Sequence, residues 1–356
     1  MAKQLMKGNE AIARAAMLGG LDAFFGYPIT PQNEVPEYLS RYMLEEGKVF
    51  VQSESEVAAI NMVYGAAAAG FRAMTSSSSP GIALKQEGIT YLCGSELPCV
   101  ICSVMRGGPG LGSIQPSQGD YNQATRGGGN GDYHVIVFAP ETIQETIDIM
   151  KEAFDIADYY RNPVMILVDG LIGQMMESVD LTRPVKKRFL PEKDFATTGT
   201  NHHNKRNVVN SLYLESAELE AHNLALKKKY DKVIINDTRY ELINMEDPDY
   251  VIVAFGTMSR VCRSAIETLS EKKIRVGIIR PISLWPFPNR AFETLEAPHL
   301  KGILVVEMNL GQMLTDVIVA NNGKYPIGFY GRAGGVVPDP SNVVDAIVHF
   351  KDLVVK

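Results

Sequence analysis

The first 170 residues alternate short apolar runs with helical patterns, and this rhythm dictates a parallel sheet covered by helices. Strands are expected near 22–26, 48–52, 72–76, 98–104, 134–138 and 163–168. Helices are expected between them near 9–19, 32–45, 56–70, 81–93 and 141–160. Parallel strands need long crossovers, which these helices supply. The constraint reaches function as well, because an open parallel sheet binds ligands just beyond the carboxyl ends of its strands.

A chain of 356 residues is long for one core and suggests two domains. The rhythm breaks over 171–249, which holds the polar stretch Thr197–Asn204 and a charged helix near 212–230. It resumes with strands in 250–255, 275–279, 302–306 and 326–330, separated by helices near 260–271, 310–321 and 341–352. The expected architecture is α/β with two parallel-sheet domains, 1–175 and 249–356. Residues 176–248 connect them, and their charged helix is a segment that could dock on a partner. No internal repeat relates the halves.

Composition excludes several classes. A net charge of −6 leaves no basic face for nucleic acid. Apolar runs fall short of the roughly 20 residues that cross a bilayer, and Lys3 and Lys7 lead into an amphipathic helix rather than a signal sequence. A soluble, cytoplasmic protein is expected. Cys99 and Cys102 have the spacing of a metal or redox pair, but they lie in an apolar strand. Residues three apart on a strand face opposite ways, so buried, reduced core cysteines are expected and no cluster on this chain alone.

Three chemically useful groups converge on the strand ends. The first strand ends in Gly26-Tyr-Pro-Ile-Thr-Pro31, the second in Val51-Gln-Ser-Glu-Ser-Glu56, and the fourth in Met105-Arg106 before a glycine-rich loop over 105–132. Each also has a plain structural role. Thr30 before Pro31 suits a helix N-cap, although a helix N-terminus also receives anionic groups. Glu54 and Glu56 stand two apart, so at most one enters the site if the helix begins near Ser55. An acid there could merely complement the helix dipole. The helix that follows is almost wholly small and apolar, so it should be buried on most sides and leave its first acid in need of a partner. Arg106 either snorkels to solvent or offers its planar fork to a carboxylate.

Other features carry less. The loop Gly107–Gly112 lacks dinucleotide spacing, and Ser76-Ser-Ser-Ser-Pro-Gly81 suits a turn and helix start better than a phosphate cradle. His202 and His203 lie in a polar loop without a third ligand, Lys227–Lys229 suit a solvated helix face, and Trp285 suits a packing anchor.

These strand-end residues are also where a family resemblance lies. Tyr27-Pro-Ile-Thr-Pro31 resembles a motif of the 2-oxoacid:ferredoxin oxidoreductases. Ser55-Glu56 with its Ala-rich helix resembles their thiamine-activating segment, and Arg106 matches their substrate arginine. Arg106–Gly112, Gln115–Asp120 and the Gly127–Asp132 run look most like separate α-type subunits acting on 2-oxoisovalerate, favoured here, or 2-oxoglutarate. The resemblance implies a pyrimidine-type thiamine-diphosphate-binding fold followed by a transketolase C-terminal-like domain. It implies that Glu56 and Pro28 contact the cofactor, that Glu56 relays a proton to the pyrimidine, and that Thr30 and Arg106 hold the oxoacid carboxylate. Coenzyme A would accept the acyl group and ferredoxin the electrons. A Gly-Asp-Gly…Asn signature for magnesium and diphosphate is absent from the sequence, as are cluster-binding cysteines. Magnesium is therefore expected on a β-type subunit and iron–sulfur clusters on a ferredoxin-like subunit, with a γ-type subunit besides. Alone, the chain should hold half a site. The alternatives are a β-type half of an NAD-linked 2-oxoacid dehydrogenase, which would lack the Tyr-Pro-Ile-Thr-Pro strand end, and a catalytically silent nucleotide-binding or scaffold subunit.

Overall fold

The computed structural model describes residues 3–200 and 206–355. The chain opens with β1 (Gln4–Lys7), α1 (Gly8–Leu18), β2 (Ala23–Gly26), α2 (Glu34–Glu45), β3 (Val49–Gln52), α3 (Glu56–Ala68) and β4 (Ala73–Ser77). It continues through α4 (Ser79–Leu84), α5 (Gln86–Gly94), β5 (Cys99–Met105), α6 (Tyr121–Arg126), β6 (Ile136–Phe138), α7 (Ile143–Tyr160), β7 (Pro163–Asp169), α8 (Gly170–Gln174) and β8 (Met176–Val179). After α9 (Ser216–Asp237) come β9 (Tyr240–Ile243), β10 (Tyr250–Val253), α10 (Gly256–Glu271), β11 (Val276–Pro281), β12 (Ser283–Trp285) and α11 (Asn289–Glu293). The last elements are β13 (Gly302–Glu307), α12 (Leu314–Asn321), β14 (Ile327–Gly331) and α13 (Pro340–Val348), with a 3-10 turn at Phe350–Leu353.

The first unit is a seven-stranded sheet in the order β12-β6-β7-β5-β4-β2-β3. All its pairings are parallel except that of β12, which runs antiparallel to β6. The central strand β5 is buried along its length, as a strand covered on both faces must be. Its cysteines divide between the faces: Cys99 joins the core that contains Ile60 and Leu92, and Cys102 the core that contains Ile12 and Phe154. Burial raises both thiols well above their ordinary value, Cys102 to about 12.

β2 lies between β3 and β4, so the chain leaves it first to one side and then to the other. This reversal makes the carboxyl ends of β2, β3 and β4 a topological switch point, the crevice position at which doubly wound sheets hold ligands.

The second unit is a five-stranded sheet in the order β14-β13-β10-β11-β9, with β9 antiparallel. Buried polar contacts clamp it to the loop after β5. The buried Gln118 side chain donates to Phe255 O (2.7 Å) and accepts from Met308 N (3.1 Å), while Asn309 Nδ2 donates to Gln118 O (2.8 Å). Arg280 forms a fork onto Glu145 with both bonds at 2.8 Å.

Several elements depart from sequence expectation. The N-terminal segment read as leading directly into a helix begins with β1, which pairs with β8. The presumed single helix over 81–93 is two, α4 and α5, meeting at Lys85. The glycine-rich loop contains α6, anchored by Tyr121 and Arg126 to Asp316. β9 and β12 are short strands of three or four residues that pair with a distant partner, so local pattern does not reveal them. Within the connecting segment, β9 belongs to the second sheet. α3 is not buried on most sides: Val57, Asn61, Met62 and Gly65 are exposed, while Glu56, Ala59, Ile60 and Val63 face the core. Apolar residues occupy both faces of this helix, and one face is all that the chain itself covers. α9 packs on its own chain through Leu226, Tyr230 and Val233. Within it Lys227 is solvated and paired with Asp231, whereas Lys229 is largely buried and donates to Glu96 Oε2 and Arg161 O, both at 3.2 Å. The solvated-face reading of the Lys227–Lys229 run therefore fails at Lys229. Its stem reaches the first unit, where backbone and carboxylate oxygens replace water. Trp285 stacks on His134 at 4.3 Å, as a packing anchor should. His202 and His203 lie outside the described residues.

Candidate active site

The crevice is built from four strand ends. Gly26 pairs with Gln52, and Ser53 continues the link by donating its N–H (2.9 Å) and hydroxyl (3.1 Å) to Gly26 O. This fixes where the chain turns into α3. Ser55 caps the helix by accepting from Ala58 N at 3.2 Å, which makes Glu56 the first helical residue. Glu56 is only 6% exposed, whereas Glu54 points to solvent. Of the two acids, Glu56 is thus the one that turns inward.

Glu56 meets α4. After β4, Ser78 takes the N-cap position and Pro80 sits in the first turn, as the Ser-Pro-Gly sequence suggests. The next residue, Gly81, passes so close that a Cβ there would lie 2.6 Å from Glu56 Oε1 and 3.1 Å from its Cγ. The same Cβ would lie 2.1 Å from Ser77 Oγ. Glycine is required here by proximity rather than by backbone conformation.

α4 also touches Arg106. Ser79 Oγ accepts the Arg106 N–H at 3.0 Å and donates to Asp120 Oδ2 at 2.5 Å. Burial pushes the Asp120 carboxyl up to about 6, against the hydrogen bond from Ser79 and the charge of Arg106. The Arg106 side chain is 8% exposed and does not snorkel. Its Nη1 donates to Thr30 O (2.9 Å) and its Nη2 to Leu111 O (3.0 Å), while Nε is buried without a partner. Two backbone carbonyls therefore hold the guanidinium without neutralising it.

The geometry brings together all three residues singled out from sequence, with Gly81 and Ser79 as the bridge between Glu56 and Arg106. It corrects the capping role considered for Thr30. α2 begins at Glu34, and Thr30 lies in a turn closed by Gln32 N to Ile29 O at 3.1 Å. Tertiary contacts impose this turn: Pro31 O accepts from Asn9 (2.7 Å) and Gln174 (2.8 Å), and the buried Gln32 accepts from Ser76 Oγ (2.5 Å). The Thr30 hydroxyl is left at an exposed position, 3.5 Å from Asn33 Nδ2. Tyr27 and Pro28 are exposed beside it.

Sequence reasoning missed Ser79, Gly81, Lys85 and Asp120. Lys85 is wholly buried beneath α4, where its Nζ donates to Thr75 Oγ1 (2.7 Å) and Ser76 O (3.1 Å). No local pattern marks it, since a lysine in a helical stretch usually faces water. The Ser-Pro-Gly turn was a usable signal, because a glycine two residues into a helix invites the question of what approaches it.

A cavity of about 280 Å³ lies beside Asp120, between the glycine loop and the second unit, lined by Pro109, Ser117, Asn309 and Gln312 among others. A larger one of about 810 Å³, lined by Asn244, Glu246 and Lys273, shares no residue with the crevice. Among the described residues no cluster of His, Cys, Asp and Glu could hold a metal ion, and no helix is long and apolar enough to cross a membrane.

Comparison with known proteins covers nearly the whole chain. Residues 14–237 match the family described as "Pyruvate flavodoxin/ferredoxin oxidoreductase, thiamine diP-bdg", and residues 248–343 match "Pyruvate:ferredoxin oxidoreductase core domain II". The ketoisovalerate oxidoreductase subunit VorB of Methanothermobacter thermautotrophicus is 47% identical over 98% of this chain and 97% of its own length. The 2-oxoglutarate synthase subunit KorA of Methanocaldococcus jannaschii is 33% identical over 98% of this chain and 100% of its own. Among solved structures, the 2-oxoglutarate:ferredoxin oxidoreductase of Magnetococcus marinus, with 2-oxoglutarate, coenzyme A and succinyl-CoA bound, superposes with a TM-score of 0.86 at 27% identity. That match covers 98% of this chain but only 65% of the larger one. A split-gene transketolase shares the fold, with a TM-score of 0.61 at 16% identity over 98% of this chain and 99% of the other.

Proposed function

This chain belongs to the 2-oxoacid:ferredoxin oxidoreductase family, and from that premise we propose that it is the α-type subunit of a cytoplasmic enzyme oxidising a branched-chain 2-oxoacid. In the overall reaction the oxoacid and coenzyme A give acyl-CoA, CO2 and a proton, and two electrons pass to ferredoxin. The observation that carries the reading is the convergence of Glu56, Arg106 and Thr30 at the crevice beside β2.

The residues fit the pyrimidine end of thiamine diphosphate. The Glu56 carboxylate receives no hydrogen bond from the described residues, and the missing Cβ of Gly81 leaves it a close-fitting cradle. When bound, the cofactor supplies a nucleophilic ring carbon and a sink for the electrons released by decarboxylation. Glu56 would share a proton between Oε and the facing ring nitrogen, and Pro28 would flank the ring. Arg106 is pre-oriented by Thr30 O and Leu111 O, and its guanidinium together with the Thr30 hydroxyl would hold the substrate carboxylate. The exposed Leu111 and Ile114 sit in the same loop as the apolar surroundings for a branched side chain. The higher identity to a ketoisovalerate oxidoreductase subunit than to a 2-oxoglutarate synthase subunit supports that choice over 2-oxoglutarate.

The remaining parts lie on partners. The exposed apolar face of α3 beside Glu56 suits a β-type subunit that carries magnesium and the diphosphate site. The larger Magnetococcus chain, of which this one spans 65%, supports a further γ-type subunit on a separate chain. A ferredoxin-like subunit holds the iron–sulfur clusters. The test is to assemble the chain with its partner subunits and follow viologen reduction with 2-oxoisovalerate, 2-oxoglutarate and pyruvate, each with coenzyme A. Fastest reduction with 2-oxoisovalerate is expected. Equal or faster reduction with 2-oxoglutarate would reject the substrate, and none with any oxoacid would reject the activity.

A further inference from the structure

The proposed function leaves one carboxylate of the site without a task. Asp120 stands immediately before α6, yet its side chain makes no capping bond to that helix. Among the described residues it accepts a single hydrogen bond, from Ser79 Oγ at 2.5 Å. A short O–H···O⁻ contact of this kind belongs to the strong, charge-assisted class.

Ser79 has one proton to give. Arg106 O lies 3.2 Å from its hydroxyl and Asp120 Oδ2 lies 2.5 Å away, so the proton goes to the carboxylate. A lone pair is then left to accept the Arg106 N–H at 3.0 Å. Chained hydrogen bonds polarise one another, so donating to Asp120 makes Ser79 the better acceptor. Arg106 is thereby held at both ends. Thr30 O and Leu111 O grip the tip of its side chain, and Ser79 anchors its backbone to α4. The next residue is tied only within the glycine loop, where Gly107 N donates to Gln115 O at 2.9 Å.

The second unit holds Asp120 in turn. Gln312 brackets it with one amide: Nε2 donates to Gly119 O (2.6 Å), and Oε1 accepts the Asn122 N–H (2.8 Å). The Gln312 N–H is itself fixed by Asn309 Oδ1 at 3.0 Å. At the far end of α6, Asp316 receives both Arg126 Nη1 (3.0 Å) and Nη2 (2.9 Å).

We propose that Asp120 is a positioning residue for the substrate carboxylate: it fixes the backbone of Arg106 through Ser79, and Gln312 fixes Asp120, so the second unit sets where the guanidinium stands. This rests on the reading of Arg106 as the group that grips the oxoacid. It gives the second unit, which brings few groups of its own to the chemistry, a direct part in the site.

Two measurements test this. The first is KM and kcat for 2-oxoisovalerate in the assembled enzyme. Ser79→Ala and Asp120→Ala should each raise KM at least about tenfold, the scale of a lost hydrogen bond to a charged group, with kcat within about threefold. Gln312→Ala should raise KM at least about threefold. Unchanged KM in any of the three would overturn the chain of contacts at that residue. Asp120→Asn keeps an oxygen for the Ser79 proton and should bring KM back to within about threefold of wild type. An asparagine as damaging as alanine would overturn the hydrogen-bonded route. In an Arg106→Lys background, Asp120→Ala should add less than about twofold, because both changes act on the same group. Fully multiplicative effects would reveal a general loosening and would also overturn the proposal.

The second measurement needs neither cofactor nor partner: hydrogen exchange at the Arg106 amide of the full chain, read by mass spectrometry at single-residue resolution. Exchange should be at least about tenfold faster in Ser79→Ala and Asp120→Ala than in wild type, and equal rates would overturn the proposal. Where Ser79→Ala fails to fold, Asp120→Ala and Gln312→Ala carry both measurements. If the wild-type assembly oxidises no 2-oxoacid, the functional reading fails, and the exchange rates still decide whether Asp120 holds the Arg106 backbone.

Discussion

Replacing Gly81 with alanine should damage turnover far more than stability. The added Cβ would lie 2.1 Å from Ser77 Oγ and 2.6 Å from Glu56 Oε1. Ordinary contact begins at 3.4 Å, so Glu56 Oε1 must retreat by about 0.8 Å, and its Cγ, 3.1 Å away, must follow. Overpacking of this kind typically costs about 1–3 kcal/mol. Alanine in place of glycine inside a helix returns roughly 1 kcal/mol. The net destabilisation should therefore be about 0–2 kcal/mol, leaving the fold intact. The rate effect has a different scale, because misplacing a reacting group by about 1 Å costs on the order of 10²-fold. Urea unfolding of the full chain reads the first quantity, and viologen reduction by the assembled enzyme at saturating oxoacid reads the second. The double variant Ser77→Ala/Gly81→Ala separates the two contacts: it removes the tighter clash, so stability should recover while turnover stays low. Turnover of Gly81→Ala within twofold of wild type would refute the claim that the place of Glu56 matters. Recovery of turnover in the double variant would assign the damage to Ser77 instead.

Other consequences follow from the same geometry. Glu56→Gln should lower turnover of the assembled enzyme by at least about 10²-fold, whereas the solvent-facing Glu54→Gln should cost much less; a reversed order in steady-state kinetics would contradict the inward placement of Glu56. Arg106→Lys should chiefly lower kcat/KM for the oxoacid, because one ammonium cannot hold Thr30 O and Leu111 O and still present a fork; kinetics unchanged across oxoacid concentrations would exclude Arg106 from substrate binding. Asp120 titrates at about 6 in the folded chain, above its ordinary 3.8. Its contribution to stability is then complete below about 3.8 and is lost as pH rises through about 6, a difference on the order of 3 kcal/mol. Urea midpoints of Asp120→Asn should lack that decline between pH 4.5 and 6.5, and a slope equal to wild type would rule out the titration.

The strands near the site were legible because buried parallel strands must be apolar on both faces. The runs before Gly26 and Met105, buried along their length, leave little choice of boundary. The edge strands β9 and β12 were not legible, since three or four residues that pair with a distant partner carry no periodicity of their own. Lys85 and Lys229 show the same limit for side chains. Each lies in a stretch whose pattern puts lysine in water, and each is buried because a neighbouring element supplies oxygens to its amine. Thr30 failed as a helix cap for a related reason: Asn9, Gln174 and Ser76, all distant in sequence, hold its segment in a turn.

Local sequence pattern carries the alternation of strands and helices and a start of α3 near Ser55, which lets at most one of two glutamates enter the site; the burial of Glu56 and exposure of Glu54 make the choice. The same pattern places Thr30, Glu56 and Arg106 on one edge of the sheet. What the pattern carries depends on local periodicity, capping and the rule that parallel strands end on a common side. Tertiary structure alone decided the rest: the strand order that opens the crevice at β2, the approach of Gly81 to Glu56, the carbonyl grip on Arg106, and the burial of an amine beneath α4. Each arises where elements far apart in the chain come within a few ångströms, and the energies that matter there, contact and desolvation, have no signature in the order of the residues.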